Sequence, residues 1–206
     1  MKNKKLVKNL NKMVRNIHTP QQLIDGIFAL HTRRFGTVAE VLIKILANAD
    51  WGKSISHDLY DEKSLGRIEV KFSRALRKNT STIKETNILE QIVSADDAKR
   101  MFKSTEWEEN EFDCNIQQIK RKEFETLYYG IFFSDIVKIF KIRSIDIGKD
   151  KKIKYSDKQH YGNVGEGQFH LNNKTYVYHI ENYIEKDLTY KEILDLLVKT
   201  QNPNKF

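Results

Sequence analysis

The chain is 206 residues long, 39% hydrophobic and 11% aromatic, enough apolar material for one ordinary domain with a real core, which excludes a globally disordered chain. Lys and Arg number 36 against 28 Asp and Glu, a formal net charge of +8, so nucleic acid is the first partner to consider; a Lys-, Asn- and Ile-rich usage that follows genomic base composition would give the same excess. A single cysteine, Cys114, excludes a disulfide framework and a cysteine-based zinc site and suits a reducing cytoplasm, while no stretch approaches the roughly 20 apolar residues of a spanning helix.

Residues 1–17 are basic and lack the continuous apolar centre of a signal peptide, so neither export nor a membrane is expected. They read as an amphipathic helix with Leu6, Leu10, Met13, Val14 and Ile17 on one side, suited to lying on phosphate or to facing solvent. Thr19, Pro20 and Gln22 form a capping box with proline at the first helical position and predict a helix over 20–31. Thr37 and Glu40 predict another over 38–49, with Val38, Val41, Leu42, Ile45 and Leu46 as its buried stripe. After Gly52 the apolar period changes to two: Ile55, His57 and Leu59, then the turn DEKSLG, then Ile68, Val70 and Phe72, an antiparallel hairpin. Helices are predicted near 86–93 and 95–103, an acidic loop over 106–113 and a helix over 115–125. TLYYGIFF then reads as a strand covered on both faces, with IVKIFKI at 136–142 beside it; strand, crossover helix and strand imply a parallel pair. Residues 148–167 read as a long polar loop, QFHL and TYVYHI as a hairpin turning at Asn172 and Asn173, and Thr189 with Glu192 as the start of a last helix. No repeat, linker or composition shift divides the chain, so a single domain over 1–206 is expected.

Asp58, Glu69 and Lys71 carry the chemistry. With Ile68, Val70 and Phe72 turned to a core, Glu69 and Lys71 share the opposite face, and Leu59 facing the core sends Asp58 to that same side. A turn centred near Ser64 sets Asp58 across from Glu69 or Lys71 and leaves Asp61 in the turn. Two carboxylates so placed repel unless a cation lies between them, and Mg²⁺ would both relieve the charge and activate a water beside a phosphodiester. Lys71 would orient that water or neutralise charge on the phosphorane. By spacing alone, the same residues also suit a plain surface hairpin with a Glu–Lys pair in solvent.

SHDLYDEKSLGRIEVKFS resembles the signature of the PD-(D/E)XK nucleases, in which an acidic residue on one strand precedes Glu-x-Lys on the next. The preceding GTVAEVLIKIL is similar to the helix that often adds a further acidic residue, here Glu40, although a capping role with Thr37 would also explain it. IQQIKRKEFETLYYGIFFSDIVKIFKI resembles the crossover helix and following strands of many type II restriction endonucleases. The resemblance covers residues 36–75 and 115–143. It implies an α/β protein with a restriction-endonuclease-like core, a mixed β-sheet flanked by helices, and Asp58, Glu69, Lys71 and Glu40 as catalytic residues, the three carboxylates holding Mg²⁺. It further implies site-specific hydrolysis of double-stranded DNA to 5′-phosphate and 3′-hydroxyl ends, a homodimer and a cognate DNA methyltransferase. His57 stands where the family's name has proline, and Arg121 and Lys122 replace the Gln-x-x-x-Tyr element of the exonuclease-like branch, which argues against a recombination-type exonuclease. A structure-specific repair or mobile-element nuclease of the same fold and a non-catalytic DNA-binding protein are the alternatives.

For DNA contact the candidates are Lys151, Lys152, Lys154 and Lys158 on phosphates and Gln159, His160 and Asn163 on base edges, in a DNA-contacting loop and hairpin at 148–180, unless that loop is merely solvated. Arg33, Arg34, Arg74 and Arg77 flank the active-site segments and would hold backbone near the metal or face water. His170 and His179, on opposing strands of the predicted hairpin, would serve sheet packing or DNA contact. The six histidines show no HExxH spacing, no GxxxxGK[ST] loop occurs, and the tyrosines of YYGIF read as core.

Overall fold

A computed structural model describes residues 17, 19–54, 56–79, 81–159 and 163–201. The amphipathic helix expected over 1–17 falls, Ile17 apart, outside the described residues. Helix α1 (Pro20–Phe28) begins with the expected capping box: the Gln22 N–H donates to Thr19 Oγ1 and the Thr19 N–H to Gln22 Oε1, each at 3.2 Å. Helix α2 (Thr32–Ala47) starts six residues earlier than predicted. Its N-cap is His31, and Thr37, taken as the cap, lies inside the helix with its hydroxyl bonded to the Arg33 carbonyl. The buried stripe is correspondingly Phe35, Ala39, Leu42 and Ile43, and Asn48 ends the helix in the left-handed conformation.

Six strands form a mixed sheet in the order β1-β2-β3-β5-β6-β9. They are β1 (Asp50–Trp51), β2 (Leu59–Asp61), β3 (Gly66–Arg74), β5 (Thr126–Phe132), β6 (Ile136–Arg143) and β9 (Ile184–Thr189). The β2–β3 hairpin has the expected pairing, Leu59 opposite Ile68, and β5 runs parallel to β3 with Glu69 beside Leu127 and Lys71 beside Tyr129. β5 is buried on both faces, as its uninterrupted apolar run requires. Its one glycine has a steric reason. A Cβ on Gly130 would stand 2.2 Å from the ring of its neighbour Phe72, which packs edge-on against Phe132.

One face of this sheet, with Ile68, Val70, Tyr128 and Phe132, packs on α1, α2 and the last helix, α6 (Tyr190–Gln201). Thr189 and Glu192 cap α6 as expected. The other face, with Leu127, Tyr129, Ile131 and Phe140, packs on a three-stranded antiparallel sheet of order β4-β8-β7, made of β4 (Asp113–Ile119), β7 (Ser156–Gln159) and β8 (Asn163–Asn172). The protein is thus mixed α/β, with a mixed sheet flanked by helices. Among the described residues no helix is long and apolar enough to cross a membrane.

Three predicted elements are corrected. Residues 115–125 are not a helix: Cys114 and Ile116 are buried while Asn115 and Gln117 are not, a period of two that makes β4, and the left-handed Gln118 then shifts the phase to bury Ile119. The parallel β3–β5 pair is instead connected through α3 (Ile88–Ser94), α4 (Asp97–Arg100), a short 3-10 helix and β4. Residues 148–167 are only partly loop, since they include β7 and the start of β8. TYVYHI is not a strand: Tyr176, His179, Ile180 and Tyr183 are spaced as one helical face and form α5 (Tyr176–Tyr183) against the second core.

Candidate active site

The hairpin brings Asp58, Glu69 and Lys71 together. Asp58 directly precedes β2, and its backbone N–H donates to the Ile68 carbonyl at 3.1 Å. Its Oδ2 accepts from the Val70 N–H at 2.9 Å and lies 3.6 Å from Lys71 Nζ. The Lys71 ammonium also donates to Glu69 Oε1, so one cation stands between two carboxylates. Asp61 is held apart in the turn by the Ser64 hydroxyl and the Lys63 N–H.

Burial sets the electrostatics. It pushes the Glu69 carboxyl up to about 7, with Lys71 opposing the rise and Asp58 adding to it. Glu40, on α2, is also raised, by burial and then by the negative charge of Asp58. Burial works against the charge of Lys71, yet Glu69 and Asp58, with Glu40 beyond them, outweigh it and raise its pKa. Because Thr37 is not a cap, Glu40 is released from the capping role that the sequence allowed it and faces this group. Arg33 and Glu40 of α2, Lys71 of β3, and Asn115, Gln117 and Gln118 of β4 line one cavity of about 460 Å³. A helix over 115–125 does not bring the β4 amides to this cavity; the alternation of Cys114 and Ile116 with Asn115 and Gln117 is the sequence signal that does.

Asp58, Glu69 and Glu40 offer hard carboxylate oxygens, the donors that Mg²⁺ takes, and the raised Glu40 and Glu69 mark buried negative charge that a divalent cation would relieve. Among the described residues no three His, Cys, Asp or Glu side chains are already gathered as a chelate; here Lys71 supplies the positive charge.

The basic candidates divide by position. Arg33 and Arg34 are exposed on the first turn of α2, and Arg33 reaches the cavity. Arg74 is turned inward: it donates to the Ile27 and Leu30 carbonyls at the end of α1, pairs with Asp97 at 3.3 Å and stacks 4.2 Å over Phe35. Its guanidinium ties α1 to β3. Arg77 is exposed and bonded to Asn110. Lys158 is exposed on β7, the far edge of the small sheet, two strands or about 10 Å from β4, and Lys151, Lys152 and Lys154 are exposed in the segment before it. His160 and the side chains of Gln159 and Asn163 lie outside the described residues. The two histidines are not on paired strands. His170, on β8, bonds Asp113 at 2.8 Å, and His179 is buried in α5 with its Nδ1 2.8 Å from the Tyr129 hydroxyl.

No family model, no curated protein and no solved structure matches the chain.

Proposed function

We propose that the protein is a Mg²⁺-dependent endonuclease of the PD-(D/E)XK type with a restriction-endonuclease-like core, cutting double-stranded DNA at a specific site as type II restriction endonucleases do. The observation that carries this reading is the convergence of Asp58, Glu69 and Lys71 across the β2–β3 hairpin, with Lys71 and Glu40 lining one cavity. The mixed sheet with α2 packed on one face supports the core assignment.

Asp58 and Glu69, with Glu40, are the residues that would hold Mg²⁺. The ion, when bound, lowers the pKa of a water and offsets charge on the phosphate oxygens. Asp58 is fixed for this by its bond from Val70, and Glu69 by the strand that buries it. Lys71 reaches both carboxylates from the same face and is the group available to orient the attacking water or stabilise the phosphorane. Arg33, at the cavity, is placed for a backbone phosphate, and a homodimer would set two such sites on the two strands of a palindrome. A methyltransferase that marks the same site would be the cellular counterpart, and a cytoplasmic location follows from that pairing.

The test is incubation of the purified protein with unmethylated phage DNA and Mg²⁺, beside Glu69→Ala and an EDTA control. Discrete metal-dependent bands absent from the variant are expected. A smear that the variant abolishes would keep the nuclease and drop site specificity, whereas intact DNA with a salt-sensitive gel shift would leave a non-catalytic binding protein.

A further inference from the structure

We infer that the outward face of α3, with Ile88, Leu89, Ile92 and Val93, is the surface by which two copies of this chain associate. A homodimer belongs to the nuclease reading, which does not say where the copies meet. The inference stands on exposure and shape alone, so it holds or fails independently of cleavage.

The helix is packed inside out. Its one buried residue is polar: Gln91 Oε1 accepts from Asn79 Nδ2 at 3.1 Å, and the same amide nitrogen donates to Ser94 Oγ at 3.3 Å. Positions 91 and 94 therefore mark the side turned to the protein. On a helix of 3.6 residues per turn, positions 88, 89, 92 and 93 fall together on the opposite side. There Ile88, Leu89, Ile92 and Val93 are 46%, 77%, 63% and 55% exposed, and all four lie outside both cores. A surface helix ordinarily does the reverse, with its apolar stripe inward and its amides in water. The sequence is thus amphipathic, but its apolar side has no cover within the chain's own cores.

The shape of this face fits a copy of itself. Leu89 and Val93 form one wall of a groove of about 530 Å³, completed by Glu90 and Ser94 and by Lys99 and Arg100 of α4. Ile88 and Ile92 stand one position round the helix, beside the groove as a ridge. Ridge and groove lie on one short helix, so a two-fold axis at α3 sets the ridge of each copy into the groove of the other, the reciprocal contact that closes a dimer. The two helices then run antiparallel, and the Glu90 of each copy is brought toward the Lys99 and Arg100 of the other. With one acid against two bases, the groove offers no positive stripe for a phosphate backbone, so nucleic acid is not its occupant.

The area agrees. The four side chains expose roughly 450 Å² of apolar surface, as much as the largest patch on a typical monomer. A symmetric pair covers that area twice and, with the polar rim of the groove, reaches about 1,200 Å², where specific interfaces begin.

The test is the mass of the full-length protein in solution, by size exclusion with light scattering over about 1–100 μM, for the parent, Leu89→Glu, Ile92→Glu, Ile92→Leu and Val177→Glu. The parent is expected to reach twice the monomer mass within that range. Each α3 glutamate should weaken association at least tenfold, the loss expected for a central apolar anchor. Ile92→Leu keeps the ridge apolar and should pair like the parent. Val177→Glu, which charges an exposed apolar position on α5, should also pair like the parent. Because residues 89 and 92 lie outside both cores, the circular dichroism of the two α3 glutamate variants should match the parent's, which separates lost pairing from lost folding. A parent that is monomeric throughout overturns the inference, and the face then belongs to another protein or to another segment of the chain. Association that survives both α3 glutamates, or that Val177→Glu weakens equally, overturns it as well. None of these readouts uses DNA, so a protein that pairs through α3 but never cuts removes the nuclease reading and leaves this one standing.

Discussion

The carboxylate of Asp58 accepts a hydrogen bond from the backbone N–H of Val70 at 2.9 Å, a residue flanked by Glu69 and Lys71. An acidic side chain that lies just outside β2 is thereby anchored to the middle of β3, and its other partner is the Lys71 ammonium at 3.6 Å. One short bond thus does two things: it satisfies a strand N–H and it sets the spacing of the charged group.

Those two roles separate in a pair of variants. Asp58→Asn keeps an acceptor for the Val70 N–H and removes the charge, so the melting temperature should stay near the parent's while cleavage falls by at least about 100-fold, the scale expected for a lost metal or charge contact. Asp58→Ala loses cleavage as well and also leaves the N–H unpaired, which should cost about 1–2 kcal/mol in denaturant unfolding. Asn and Ala variants of equal stability would show that the Val70 bond contributes nothing.

Glu69 gives a pH signature. Burial raises its carboxyl from the ordinary 4.5 to about 7, so between those values the folded chain keeps a proton that the unfolded chain releases. This group therefore makes stability fall as pH rises through about 4.5 to 7, by about 3 kcal/mol in all, and adds no further change above 7. Glu69→Gln should remove that slope. If Mg²⁺ is held by these carboxylates as proposed, it takes the deprotonated site, so it should raise the melting temperature of the parent at pH 8 far more than at pH 5, and not that of Glu69→Gln. An equal shift at both pH values would mean that the ion binds elsewhere.

Arg74 and Arg33 should behave oppositely although sequence spacing makes both candidates for DNA contact. Arg74 satisfies two carbonyls at the end of α1 and faces Asp97 with only 11% of its side chain exposed, so Arg74→Ala should cost about 3 kcal/mol or more of stability. Arg33 is exposed at the cleft, so Arg33→Ala should leave stability within about 0.5 kcal/mol. It should also reduce the salt dependence of DNA binding by about one phosphate contact. Measurement of unfolding and of log affinity against log salt for both variants checks the division.

The β2–β3 hairpin and β5 are legible because their signals are local: Ile68, Val70 and Phe72 alternate with Glu69 and Lys71, and TLYYGIF has no polar face to expose. β4 is not, because the bulge at Gln118 breaks its alternation after only two buried positions and leaves IQQI with a helical spacing. Tyr176, Tyr178 and Ile180 alternate like a strand, yet Tyr176, His179, Ile180 and Tyr183 also share a helical face, and only the second core decides between them. The inward turn of Arg74 depends on carbonyls 44 and 47 residues away, which no local pattern encodes. In the site, the residues missed were those on the misread strand.

His179 supplies an acid-side counterpart to Glu69. Burial keeps the Tyr129 hydroxyl protonated well above its usual range, and it shares a hydrogen bond of 2.8 Å with His179 Nδ1, whose ring has its Nε2 buried and unpartnered. The ring stacks on Phe169 at 5.8 Å, in surroundings with no room for charge, and burial pushes its pKa down to about 4 against the opposing charge of Asp150. Unfolded, the same side chain takes a proton near 6.5, so its contribution is present above 6.5 and is lost as pH falls from there to about 4, again about 3 kcal/mol in all. His179→Phe should be less stable than the parent at neutral pH, because the buried Tyr129 hydroxyl loses its hydrogen-bond partner, yet should lose less on acidification. Its acid limb should shift opposite to that of Glu69→Gln, whose parent group gains stability in the overlapping window from 4.5 to 6.5. Denaturant unfolding of the three proteins at pH 4, 5.5 and 7 reads both slopes. A His179→Phe curve parallel to the parent's would mean that the imidazole is not protonated on unfolding in this range, and that the second core tolerates its charge.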